Sequence, residues 1–192
     1  MKNKKYSILS VNDVRFKEYK ITPLRKIDIQ KIRLWRNNQI NILRQNVKLS
    51  ARDQIKYYNN IVGKSFFQKK PKLILFSFLL KNSCIGYGGF VHINWEKNLG
   101  EISFLLDTNR GNKVEIYKKE FRIFLRLIFG VDWKQLGFKK IVAETYNIRP
   151  NHVKVLENFG FKYQKRRKKD KLIDGKVVDT LIHEYRLKIK KV

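Results

Sequence analysis

The sequence has few of the residues that crosslinked, thiolate-bound or membrane-spanning proteins need. One cysteine, Cys84, among 192 residues excludes an intramolecular disulfide, a thiolate zinc site and a Cys-x-x-Cys redox pair. The longest uncharged apolar run, residues 73–80, is less than half the length of a membrane span. The basic residues 1–6 are followed by no apolar signal-peptide core. We therefore expect a soluble, cytoplasmic protein, and its 43% of hydrophobic residues is enough to build a core.

Acidic residues are also scarce, with 16 Asp and Glu against 44 Lys and Arg and a net charge of +28. Such an excess attracts polyanions, including nucleic acids, acidic membranes and phosphate-rich ligands. However, the chain has only two alanines against 31 lysines, and basic residues occur in every segment. A nucleotide-composition bias explains that distribution as well as a binding function does, and both explanations stay open.

The hydrophobic periodicity predicts one mixed α/β (α+β) domain over residues 17–192, preceded by a loosely attached arm over residues 1–16. Asp28 and Ser50 are the expected N-caps of the first two helices, with Asp53 completing a capping box and Gly63 ending the second helix. The expected strands are residues 19–23, 72–80, 85–94, 101–106, 140–146, 162–173 and 176–187, and the expected helices begin at residue 28 and span 50–63, 114–136 and 150–159.

Three clusters along the chain have the residues for binding chemistry. Residues 101–113 join a strand to the N-terminus of the longest helix, where free N–H groups and Arg110 to Lys113 favour an anion. An ordinary solvated loop explains this junction equally well. Residues 147–161 contain apolar positions that pack a short helix on the sheet. The third cluster, Arg36 and Asn37 with Arg44 following, suits a phosphorylated or carboxylated ligand or is simply a charged helix end.

The element order, together with Val-Leu-Glu-Asn-Phe-Gly-Phe at residues 155–161, resembles the GCN5-related N-acetyltransferase (GNAT) superfamily from about Tyr19 to Leu187. The resemblance implies a mixed, mostly antiparallel sheet with a splayed central strand pair and flanking helices. The splayed strands would be residues 101–106 and 140–146, and the gap between them would admit the pantetheine arm of acetyl-CoA. No cluster has metal-ligand spacing, so no metal is expected.

The resemblance also implies roles for individual residues. The backbones of Leu105 and Leu106 would pair with pantetheine. The loop residues Arg110, Gly111, Asn112 and Lys113 would hold the pyrophosphate, with Asn147 and Asn151 nearby. The chain departs from the family pattern at five positions. Lys113 and Glu115 replace small residues of the pyrophosphate loop, and Leu156 replaces a tyrosine that protonates the leaving thiolate in many relatives. Arg149 and His152 stand where the motif usually has Asn and Ser.

Acetyl transfer also needs a base and an acceptor site. Glu101, at the start of the splayed strand, is the first candidate base, and His92 is the second. Each also has a structural explanation: Glu101 as a strand-end carboxylate that balances nearby lysines, and His92 as a packed strand histidine. His152 and His183 receive no catalytic role. Arg36, Asn37 and Arg44 would face the acceptor.

Two groups within the family resemble this sequence. Arg-Leu-Trp-Arg-Asn at residues 33–37, with Arg44 and Ser50-x-x-Asp53 following, looks like the start of enzymes that acetylate nucleotide-linked amino sugars, as in pseudaminic acid biosynthesis. Ribosomal-protein N-terminal acetyltransferases share the same general layout. The first is preferred because its diphosphate-bearing substrate suits a basic protein. The alternative from another class is a non-catalytic module that binds RNA or another polyanion through residues 165–169. Membrane attachment is not expected, because no basic amphipathic helix is free for it. A homodimer is left open.

Overall fold

The structure, a computed structural model, describes residues 4–131, 136–173 and 175–186. Its strands are β1 (Val14–Phe16), β2 (Tyr19–Pro23), β3 (Ile74–Leu80), β4 (Ser83–Asn94), β5 (Leu99–Leu106), β6 (Lys140–Tyr146), β7 (Lys162–Ile173) and β8 (Lys176–Arg186). Its α-helices are α1 (Ile29–Asn38), α2 (Ala51–Tyr57), α3 (Gly63–Ser65), α4 (Thr108–Gly111), α5 (Val114–Ile128) and α6 (Pro150–Phe159). Short 3₁₀ turns at Lys26–Asp28 and Ile40–Ile42 flank α1, and a π-helical turn, Tyr58–Val62, joins α2 to α3.

The strands form one sheet in the order β1-β2-β3-β4-β5-β6-β8-β7. Neighbouring strands are antiparallel except β5 and β6, which run parallel and pair only from Leu99 with Lys140 to Glu101 with Val142. Beyond these pairs the two strands lose contact, which leaves a gap at their carboxyl ends. The expected mixed, mostly antiparallel sheet with a splayed central pair is confirmed.

Helix α5 covers one face of the sheet through a cluster of aromatic side chains. The ring of Phe104 in β5 lies 4.7 Å from those of Phe121 and Phe124. The helix ends at Ile128, earlier than the predicted residue 136, because the N–H of Gly130 is shared between the carbonyls of Arg126 and Leu127 and the chain then turns. Residues 132–135 of that prediction lie outside the described residues. No helix in the described part of the chain combines the length and hydropathy that a membrane crossing requires.

The N-terminal segment differs from the expected loose arm. Tyr6 is only 1% exposed, and its hydroxyl donates to the carbonyl of Leu75 at 2.9 Å and accepts the Leu75 N–H at 2.7 Å. Leu9 is also buried, and β1 pairs with β2 along its whole length. Residues 4–16 therefore pack on the domain, although residues 4–13 follow no helical or strand period.

Of the predicted helix signals, the capping box is confirmed, Asp28 occupies the N-cap position of α1 without a capping bond from its side chain, and Gly63 as a helix end is wrong. Ser50 and Asp53 form the expected capping box at α2. Asp28 caps nothing through its side chain; it is buried, pairs with Arg25 and accepts the hydroxyl of Ser77. Gly63 has a helical φ of −60°, so the helical path continues past it to Ser65.

Glycines in β4 permit the close approach of neighbouring backbones. A Cβ at Gly88 would lie 2.1 Å from the carbonyl oxygen of Ser103 and 2.8 Å from the Phe124 ring. Gly160 has a different role, since its φ of +113° ends α6 in a left-handed turn as the sequence predicts. At the β7–β8 hairpin, Gly175 also has a positive φ, while Asp174 lies outside the described residues.

Candidate active site

Two adjoining cavities lie where β5 and β6 part. The first, of about 560 Å³, is lined by β4, β5, β6, the end of α1 and residues 42–44. The second, of about 330 Å³, lies between the N-termini of α5 and α6. Ile42, Arg149 and His152 line both. The gap predicted for the pantetheine arm therefore connects the two cavities.

Four charged side chains form a network at the wall of the first cavity. Glu101, only 8% exposed, is paired with Arg44. The other amino group of Arg44 lies 3.4 Å from Glu144, which Arg167 holds in a bidentate contact at 3.2 and 2.6 Å. Glu101 thus lines the cavity at one end of an ion-pair chain that begins in β7.

His92, the second candidate base, lines the same cavity. It lies at the bulge where the β4–β5 pairing shifts, and its φ of +47° turns the strand locally. Partial burial and the nearby Arg44 guanidinium lower the pKa of His92, while Glu144 opposes that shift. The neutral imidazole is therefore favoured near pH 7. The structure brings both candidate bases to one cavity.

The predicted acceptor residues separate into two groups. Arg36 lines the first cavity, where it donates to the Tyr87 hydroxyl at 2.5 Å and to Gln45 at 2.9 Å. Arg44 lines it as well. Asn37 does not, because its side-chain amide is bonded to both the N–H and the carbonyl of Leu49 at 2.9 Å. Asn37 fixes the loop that carries Arg44 and does not face an acceptor.

A cluster of side chains at the junction of the cavities was not predicted from the sequence. Nδ1 of His152 lies 2.5 Å from the Tyr117 hydroxyl, which also accepts a hydrogen bond from Arg149 at 2.9 Å. Burial, with smaller effects from Arg149 and His183, holds the pKa of His152 well below its usual value, and burial raises the pKa of Tyr117. The available signal was weak: His152 lies in the first turn of α6, at the same end as the cavities.

The backbone of β5 presents alternate residues to the gap. The N–H of Asp107 bonds to the carbonyl of Ile85 at 2.8 Å, so the hydrogen-bonded pairs between β4 and β5 fall on odd-numbered β5 residues. Leu105 is therefore committed to β4, contrary to its expected role. Phe104 and Leu106 face the gap, and the Leu106 carbonyl accepts from Gln39 at 2.9 Å. Leu106 lies where predicted, and Phe104 was missed.

The second cavity has the character of an anion site. Its lining includes Gly111, Asn112 and Val114 beside α5, and Pro150 and Asn151 at α6. No side chain caps either helix N-terminus. At α6, Pro150 has no N–H, and the N–H of His152 bonds to the Arg149 carbonyl. The uncapped N–H groups of α5 and the positive dipole ends of both helices therefore face one volume, which favours a phosphate or another anion.

Three predicted cofactor contacts do not reach this cavity. Arg110 turns away and pairs with the buried carboxylate of Glu120, with its Nε at 2.9 Å. Asn147 is bonded to the backbone of Asp179. Lys113 occupies the N-cap position of α5 and is absent from the cavity wall. Gly111, Asn112 and Asn151 are the predicted residues that do line it.

The unusual pyrophosphate loop is compatible with a bound diphosphate. The Glu115 side chain is 85% exposed, pairs with Lys118 at 2.9 Å and lies outside the cavity wall. Its negative charge is therefore directed away from the anion site. A Cβ at Gly111 would meet only the Gln39 side chain, at 3.5 Å, so the loop has room on that side. The residues present fit the diphosphate of a CoA-type ligand.

The chain was compared with protein-family models and with curated proteins. A family model described as an acetyltransferase (GNAT) domain matches residues 21–182. No match was found among curated proteins.

Solved structures share the fold at low sequence identity. A spermidine N-acetyltransferase from Vibrio cholerae, in complex with CoA and spermine, is 16% identical with a TM-score of 0.74, covering 89% of this chain and 96% of that one. A ribosomal-protein-S5-alanine acetyltransferase from Vibrio fischeri is 18% identical with a TM-score of 0.69, covering 91% and 96%. With the family model matching most of its length, the chain belongs to the GNAT acetyltransferases, enzymes that use acetyl-CoA as the acetyl donor.

Proposed function

We propose that this enzyme acetylates a primary amine on an acceptor that also carries negative charge, and that the acceptor class is a nucleotide-linked amino sugar. The supporting observation is the charge around the first cavity. Its wall contains two acidic residues, Glu101 and Glu144, against four basic residues: Arg36, Arg44, Lys72 and Arg149. Guanidinium groups bind phosphate oxygens in a bidentate manner, so a diphosphate fits this wall.

The same charges disfavour a polyamine, although a spermidine acetyltransferase shares the fold. A polycation needs unpaired carboxylates. Here Glu101 is paired with Arg44, and Glu144 with both Arg44 and Arg167. A polyamine would have to displace these arginines and then lie beside Arg36 and Lys72, where like charges repel.

The reaction needs the amine to lose a proton and the thioester to accept the nitrogen. The bound donor supplies an acetyl thioester at the gap. Glu101 accepts the proton from the attacking nitrogen, directly or through water, with His92 as the other group in position. The new C–N bond replaces the C–S bond, and CoA leaves as the thiolate. The backbones of Phe104 and Leu106, which face the gap, orient the donor, and an N–H there stabilises the developing oxyanion.

A direct comparison of acceptors tests this proposal. The purified protein and acetyl-CoA are incubated with a UDP-linked amino sugar, with spermidine or with a peptide that begins with alanine, and release of the CoA thiol is followed. We expect kcat/KM to be at least about 10-fold higher for the UDP-linked sugar, as one well-formed charged contact provides that much discrimination.

Other results would contradict the proposal in recognisable ways. A preference for spermidine would show that the arginines do not control acceptor choice. A preference for the peptide would favour a protein N-terminus as the acceptor. No turnover, together with weak acetyl-CoA binding that ATP matches and salt abolishes in calorimetry, would favour the non-catalytic polyanion-binding module.

A further inference from the structure

Arg44 lies between two carboxylates, of which one has a second cationic partner and the other does not. It contacts Glu101 on β5 and lies 3.4 Å from Glu144 on β6. Glu144 has a second cation, Arg167, in bidentate contact. In the part of the chain that the structure describes, Arg44 is the only cation paired with Glu101. Removal of Arg44 would therefore leave Glu144 neutralised and Glu101 alone.

This arrangement ties one carboxylate oxygen of Glu101 into an ion pair with Arg44. A carboxylate that shares a guanidinium accepts a proton less readily, because the adjacent positive charge stabilises the ionised form. The oxygen of Glu101 that contacts Arg44 is also unable to receive a proton from the amine. Glu101 therefore lines the cavity but is masked, in the sense that Arg44 occupies one of its oxygens and stabilises its ionised form.

The geometry allows Arg44 to move while its surroundings stay fixed. Its side chain is 47% exposed and follows the turn at Ile40–Ile42. The loop beyond it is anchored, since Asn37 holds both backbone groups of Leu49. Only the Arg44 side chain has to swing from the carboxylates toward a ligand in the first cavity.

We propose that Arg44 couples recognition of the acceptor to release of the base: a negative group on the acceptor draws the Arg44 guanidinium away from Glu101, and Glu101 then takes the proton from the attacking amine. Arg44 is on this view a specificity-determining residue, since an acceptor without the negative group leaves Glu101 masked. The inference rests on the anionic acceptor of the proposed function.

The test compares two acceptors that differ only in charge: a UDP-linked amino sugar and the methyl glycoside of the same amino sugar. The variant is Arg44→Gln. Arg166→Gln is the control, because Arg166 is similarly exposed, at 50%, pairs with the carboxylate of Asp179 and lines neither cavity.

Opposite effects on the two acceptors are expected. Arg44→Gln should lower kcat/KM for the UDP-linked sugar by about 10-fold or more, through the loss of a charge-assisted contact. The same variant should raise kcat for the methyl glycoside several-fold, because Glu101 is no longer masked. Arg166→Gln should change neither value. A gain in kcat cannot come from partial unfolding, so it separates the proposal from a merely structural role of Arg44.

A double variant identifies the released base. Arg44→Gln with Glu101→Gln should abolish the gain on the methyl glycoside, and a gain that persists would overturn the coupling to Glu101. If wild type prefers the UDP-linked sugar but Arg44→Gln lowers both acceptors equally, the coupling is wrong and the acceptor class stands. If wild type shows no such preference, the acceptor class is wrong and the coupling falls with it.

Discussion

At the scale of single residues, the buried imidazole of His152 makes stability depend on pH. Its pKa in the folded protein lies well below the usual value, chiefly because of burial, with Arg149 and His183 adding to the effect. In the unfolded chain the pKa returns to about 6.5. The unfolded state therefore binds one more proton than the folded state below that pH. The contribution to stability is complete above pH 6.5 and is lost as the pH falls.

The expected slope is about 1.4 kcal/mol of unfolding free energy per pH unit below pH 6.5, for one histidine. Urea denaturation at several pH values between about 5 and 7 measures it, above the range in which carboxylates titrate. His152→Gln should flatten the curve. His92→Gln, at a more exposed histidine on β4 whose pKa is lowered less, serves as the control and should leave most of the slope in place. An unchanged slope in His152→Gln would show that His152 is not the titrating group.

The candidate site could be predicted in outline, but not in the direction of its side chains. Spacing placed Glu101, Arg44 and Asn112 in the right neighbourhood because strand ends and helix N-termini have local signals. Arg110 was misplaced because its partner, Glu120, is ten residues away on the buried side of α5. Leu105 was misplaced because only the register with β4 decides which carbonyls face the gap.

At the scale of elements, local periodicity was sufficient for most strands and failed where burial depends on distant residues. The bounds of β2, β6 and α6 agree with the sequence prediction, since alternation or a proline–glycine pair marks both ends. The N-terminal segment gave no such signal. Tyr6 is buried by Phe66 and Leu75, more than fifty residues away, and no pattern within residues 1–16 reports those contacts.

Tyr6 should therefore anchor its segment to the domain. Tyr6→Ala removes a ring packed 4.7 Å from that of Phe66 and two hydrogen bonds to Leu75, and we expect a loss of about 3–5 kcal/mol of unfolding free energy. Val11→Ala, at a 45% exposed position of the same segment, should cost less than about 0.5 kcal/mol. Urea denaturation measures both. Equal, small losses would show that the segment is loosely attached after all.

At the scale of the whole molecule, the net charge of +28 is spread over the fold. The basic stretch at residues 165–169 lies on the exposed strand β7, yet two of its members are committed: Arg166 pairs with Asp179, and Arg167 with Glu144. This distribution favours general repulsion over a dedicated polyanion surface. The proposed acceptor and donor sites depend only on the portion of the charge that lines the two cavities.

General repulsion and specific anion binding have different salt dependences. Repulsion between exposed cations weakens as the Debye length shortens, so raising NaCl from about 0.05 to about 0.5 M should stabilise the protein. Each kcal/mol of unfolding free energy gained should raise Tm by about 2–4 °C. Pyrophosphate at millimolar concentration, in fixed high NaCl, should raise Tm further and saturably if the cavity between α5 and α6 binds it. Asn151→Asp places a carboxylate in that cavity wall and should weaken the pyrophosphate effect while leaving the NaCl effect intact. An anion site formed by helix N-termini saturates with added pyrophosphate, whereas screening by NaCl does not. If Asn151→Asp reduced the NaCl and pyrophosphate effects on Tm together, or if neither salt raised Tm, the division of the charge into general repulsion and a specific anion site would be wrong.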